Sequence, residues 1–71
     1  MTPCAELVDQ AVATAKKFRM QAAWHCEHAT AGDDYERAGH QEEAIQLLAR
    51  AYAMAMLATE LARLEEELTN D

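Results

Sequence analysis

From Ala44 to Ala58 the chain reads AIQLLARAYAMAMLA, and only Gln46 and Arg50 interrupt it. The run is short of the roughly 20 apolar residues that cross a bilayer, so protein has to cover it. Read as a helix, it carries two apolar stripes. Leu47, Ala51, Met54, Leu57, Leu61, Leu64 and Leu68 make one; Ile45, Leu48, Tyr52, Ala55 and Met56 make the other, displaced around the axis. A helix that is apolar on most of its circumference must be buried on most of it. One neighbouring helix covers about one stripe, so the second calls for another chain.

The rest of the sequence supplies one neighbour and no more. Sixteen alanines, two glycines and one proline among 71 residues favour helix almost throughout. Thr2 and Pro3 suit a helix start, with a hydroxyl cap followed by a residue whose missing N–H costs nothing there. Glu6 and Asp9 follow in the early turns, where the helix dipole favours negative charge. Gly32 precedes DDYERA, which is good helix material, and so reads as an interior glycine. Gly39, after Arg37, reads as the stop. The expected architecture is an all-α antiparallel hairpin in one domain, residues 1–71. Helix 1 spans about 3–38, the turn 39–40 and helix 2 about 41–68, with a frayed tail at 69–71.

Counting outward from that turn sets Tyr35 near Ala44, Ala31 near Leu48 and His28 near Ala51. Trp24 or His25 then falls near Met54 and Ala55, Phe18 near Leu61, and Ala11 near Leu68. Large meets small at most levels, as interdigitating layers require. Chains this short are marginally stable alone. A homo-oligomer is therefore expected, with a dimer forming a four-helix bundle as the simplest solution.

Gly32 and Tyr35, spaced by three, and Ala44 and Leu48, spaced by four, resemble the signature of a tetratricopeptide repeat. Gly39 falls where that repeat turns between its helices, and Ala51 at its later small position. The resemblance covers residues 25–58 once. His28, Ala31 and Met56 stand where the pattern has an aromatic, a leucine and a proline. It implies a helical hairpin that works in protein–protein interaction, with no catalytic residues to carry over.

Six basic against thirteen acidic residues give a net charge of −7, the wrong sign for a phosphate backbone. Nucleic acid is not expected as a main partner, and no membrane span is read. Two cysteines, Cys4 and Cys26, are too few for a disulfide framework. No secretory signal is read at the start, and the expected setting is the cytoplasm. Lys16, Lys17 and Arg19 form a basic island. With Arg50 and the aromatic Trp24 and Tyr52 they are candidates for a small anionic, nucleotide-like ligand at an intersubunit pocket.

The stretch WHCEH, residues 24–28, is the most chemically loaded. His25 and His28 share a helix face and are candidate metal ligands, with Cys26, Glu27 or His40 as further donors. No second Cys/His pair stands at zinc-finger spacing, however, and Cys26 points roughly 100° away from His25. Neither metal nor cofactor is expected. Cys26 in mid-helix has no glycine loop or helix start to supply an oxyanion hole, and serine is absent. An enzyme is not expected either. The reading is a small non-enzymatic interaction or scaffold protein, with Ile45, Leu48, Tyr52, Met56, Leu57, Leu61, Leu64 and Trp24 at its interfaces. The alternative is a protein that binds or sequesters a small anion.

Overall fold

The computed structural model describes residues 3–30 and 32–70. Two helices, α1 (Pro3–His28) and α2 (Asp34–Thr69), pack antiparallel as one hairpin with no strand among the described residues. The result is a rod of 58 × 15 × 11 Å with a radius of gyration of 16.3 Å. A globular chain of this length has a radius near 11 Å.

The turn lies at Gly32, not at Gly39 and His40. Gly32 alone among the described residues has positive φ, at 98°. Asp33 follows in extended conformation (φ −83°, ψ 177°) and caps α2, its Oδ1 accepting from the Glu36 N–H at 2.8 Å. Glu36 in turn reaches back over Gly32, where an added Cβ would collide with its carboxylate. The spacing Asp33-x-x-Glu36 is that of a capping box, and its Asp33 half is formed. On the other side, Ala29 N–H still bonds His25 O at 2.9 Å, and Thr30 Oγ1 donates to Glu27 O at 2.8 Å. The helix propensity of DDYERA is realised as the cap and first turn of α2, and the left-handed glycine before it ends α1. Helix 1 therefore ends ten residues earlier than expected, and helix 2 begins before Gly39. The expected cap at Thr2 lies outside the described residues.

At the far end α2 continues through Thr69. Asn70 N–H and Thr69 Oγ1 both donate to Glu66 O at 3.2 Å. Of the expected tail 69–71, Thr69 belongs to α2 and Asn70 is its C-cap; Asp71 lies outside the described residues.

Burial follows a heptad spacing in both helices. In α1 the buried or half-buried positions include Cys4, Val8, Ala11, Ala15, Phe18, Ala22 and His25, and Ala29 continues the series just past its end. In α2 they include His40, Ala44, Leu47, Ala51, Met54, Ala58, Leu61 and Glu65. The alternating steps of four and three are the mark of a coiled-coil seam. Each helix devotes one column to alanine: Ala15, Ala22 and Ala29 face the seam from the α1 side, and Ala44, Ala51 and Ala58 from α2. Leu47 is the only larger residue among the buried hydrophobics.

Across the seam His25 lies against His40, and Leu7, Ala11 and Thr14 share a groove with Met54, Leu57 and Leu61. The expected neighbour of His25 was Met54, fourteen residues further along α2. Moving the turn back to Gly32 shifts every pairing toward the start of α2. The expected pairs are corrected throughout: Tyr35 and Ala44 lie on the same helix, and the Ala31 pairing falls outside the described residues. The first turns of α2 run past the end of α1, and Tyr35 there is 88 % exposed.

The two glycines make opposite predictions. Gly39 sits inside α2, and a methyl group placed on it would meet nothing within 4 Å, so Gly39→Ala should stabilise by about 0.5–1 kcal/mol. Gly32→Ala should destabilise by about 1–2 kcal/mol, because alanine disfavours positive φ. Thermal melts of the two variants check this. The opposite order of midpoints would return the turn to Gly39.

Candidate functional site

The hairpin leaves two kinds of surface that are chemically distinct. The first is apolar. Of the second stripe on α2, Ile45 is 68 % exposed, Leu48 46 %, Tyr52 68 % and Met56 48 %. Within the chain, α1 covers the alanine column and Leu47 and leaves that stripe bare. On α1, Val12 and Met20 are likewise exposed.

These residues fall on defined flanks. On one side, a groove between the helices is lined by Val12, Ala15, Lys16 and Arg19 from α1 and by Ala55, Ala58 and Thr59 from α2. Along the same side, toward the chain ends, Ala5, Val8 and Asp9 meet Ala62, Glu65 and Glu66. The opposite side brings Leu7, Ala11 and Thr14 together with Met54, Leu57 and Leu61. Leu57, Leu61 and Leu64 continue there as a shallow apolar strip beside Glu60, Arg63 and Glu67.

The candidate anion residues divide between these sides. Lys16 and Arg19 share the first groove, where Thr59 Oγ1 is engaged with Ala55 O at 3.1 Å. Arg50 lines a groove on the other side with Gln21, Trp24, His25, Glu43 and Leu47. Lys17 is exposed and lines neither groove. A single chain therefore does not converge Lys16, Lys17, Arg19 and Arg50 on one point.

The second surface is the aromatic cluster at the turn end. His25 Nδ1 and His40 Nδ1 lie 2.9 Å apart across the helix seam. One of the two rings must donate and the other accept. His28 Nδ1 donates to the Trp24 carbonyl at 2.8 Å, and its ring stacks on Trp24 with centroids 3.8 Å apart and planes at 21°. Trp24 also meets His25 and His40 edge-on, at 4.9 and 5.7 Å. The cluster gathers the chain's three histidines and its one tryptophan. Cys26 and Glu27, the other candidate donors of WHCEH, are both exposed, Cys26 as a free thiol. Among the described residues no group of three or more His, Cys, Asp or Glu side chains is placed to hold a metal ion. The role these imidazoles visibly play is to tie the two helices together beside the turn.

The partnership of His40 is the contact that the sequence does not disclose by counting. With the turn set at Gly39, His40 starts helix 2 and can meet nothing on α1 near His25. The capping pair Asp33 and Glu36 was the available signal: it sets the turn, and the turn sets His40 level with His25.

No family model, no curated protein and no solved structure matches this chain. Of the residues that resemble a tetratricopeptide repeat, Gly32 lies in the turn and Tyr35, Gly39, Ala44, Leu48 and Ala51 lie on α2. The inter-helix turn that the resemblance implies at Gly39 is therefore not formed. Among the described residues no helix is long and apolar enough to cross a membrane.

Proposed function

We propose that this hairpin is a small non-enzymatic interaction or scaffold protein that works as a homo-oligomeric helical bundle. The observation that carries the reading is the mismatch between its core and its surface. The buried core is alanine with one leucine, whereas Ile45, Leu48, Tyr52 and Met56 stay 46–68 % exposed. Apolar surface buried stabilises at about 25 cal/mol per Å2, and an alanine seam supplies little of it. Four large apolar side chains of α2 are thus still available for a partner to bury.

Total area points the same way. The chain exposes 5364 Å2, whereas a folded monomer of 7.9 kDa exposes about 4,400 Å2. The surplus, roughly 950 Å2, is comparable to the ~800 Å2 that each partner contributes to a specific interface. Sedimentation equilibrium over a hundredfold concentration range is the test. More than one chain per particle, with a melting midpoint that rises with concentration, is expected. A monomer that melts at the same temperature throughout would overturn the reading.

The alternative, a binder of a small anion, is favoured by one feature: Lys16 and Arg19 flank a groove floored by Ala15, Ala55 and Ala58. The separation of Arg50 onto the other side makes it the weaker reading for one chain.

A further inference from the structure

We propose that a second copy of this chain docks on the flank of α1 that carries Asp9, Val12 and Lys16, antiparallel about a twofold axis near Val12 and Ala13. The inference rests on the oligomeric reading above and names the face that assembles. Charge along α1 reverses sign about that point. Glu6 and Asp9 precede it and Lys16 and Arg19 follow it, each acid as far before the centre as one base lies after. All four side chains are exposed. Among the described residues none of the four makes an ion pair within the chain; the two ion pairs, Asp34–Arg37 and Glu60–Arg63, are both inside α2.

An antiparallel copy brings Asp9 opposite the partner's Lys16, and symmetry repeats the pairing, while Glu6, one turn further back and about 60° around the helix, adds its charge at the rim of the same end. A parallel copy laid α1 over α2 sets Asp9 toward Glu66 of the partner subunit, at the end where both helices are acidic, and is disfavoured. Like charges brought together suppress a wrong arrangement, and opposite charges fix register. Between the charged positions the surface is small and apolar. Val12 is 54 % exposed, and the grooves on either side of it are floored by Ala15, Ala55 and Ala58 and by Ala5, Val8 and Ala62. Such residues let a second pair of helices come close. The opposite flank of α1, with Leu7, Thr14 and Gln21, carries no such reversal of charge.

Charge reversal tests this directly in the full chain. One variant carries Lys16→Glu and Arg19→Glu, the other Glu6→Lys and Asp9→Lys. Each is expected to sediment as a monomer with helicity by circular dichroism kept. An equimolar mixture is expected to recover a particle of two chains, because each interface then joins an all-acidic flank to an all-basic one. Association of the unmodified chain should also weaken as salt is raised. If the unmodified chain assembles and both variants assemble equally well alone, this face is wrong while the oligomeric reading stands. If the unmodified chain is monomeric, both fall together.

Discussion

Leu47→Ala should lower the stability of the hairpin by about 2–5 kcal/mol, the range for removing a buried leucine side chain. Leu47 is 6 % exposed and is the only large side chain in a buried core otherwise made of alanine. Domains of this size rarely hold more than about 3–5 kcal/mol in total, so the variant is expected to be largely unfolded when dilute. Leu48→Ala removes the same atoms one residue later, from a side chain 46 % exposed. In dilute solution it should change the urea midpoint little. At high concentration, where a partner covers that stripe, it should cost more. Urea melts of both variants at two concentrations separate the roles. Equal losses in dilute solution would mean that α2 is rotated relative to α1 and that the second stripe already packs within the chain.

The contrast between Leu47 and Leu48 shows what a sequence of this kind discloses. Helical class and antiparallel pairing were readable, because they depend on a period of about 3.6 that survives errors in the loop. The two stripes of α2 were legible only in part: Leu47, Ala51, Met54 and Leu61 meet the seam, but Leu57, Leu64 and Leu68 of the same stripe are exposed, and Ala55 of the other is half-buried. The turn itself depends on a few local bonds. Two glycines competed for it, and the helix propensity of the residues after Gly32 belongs to the start of α2, not to a continued helix 1. The cap at Asp33 tells the two apart, through a side-chain bond of 2.8 Å to the Glu36 N–H.

The histidine cluster was half legible for the same reason. His25 and His28 are close in sequence, and their shared face follows from helix geometry. The contact of His25 with His40 is tertiary and waited on the turn. The four candidate cations failed to converge for a third reason. Lys16 and Arg19 lie on one flank of α1 and Arg50 on the other side of the hairpin, and a count along the chain carries no information about which flank of a neighbour a residue meets.

The alanine seam leads to the second large effect. Ala51 is 3 % exposed in the column that faces α1, while Ala53, two residues on, is exposed on the far side of the same helix. Replacing Ala51 with leucine inserts three carbons where the helices meet through methyl groups. The expected loss is about 1–3 kcal/mol from forced rotamers and backbone displacement. Ala53→Leu adds the same atoms to solvent-facing surface, and leucine and alanine differ little in helix propensity. It should leave the melting midpoint nearly unchanged. A two-helix rod is unusual in what happens next, because no third element locks the spacing of α1 and α2. The helices of Ala51→Leu can separate, and the leucine then finds room at the expense of Ala22 and Ala15 contacts along the whole column. A loss spread over the seam predicts faster hydrogen exchange at amides of both helices, with the turn at Gly32 unaffected. Were Ala51→Leu instead to raise the midpoint, the seam would be underpacked, and the alanines could not be what sets the distance between the helices.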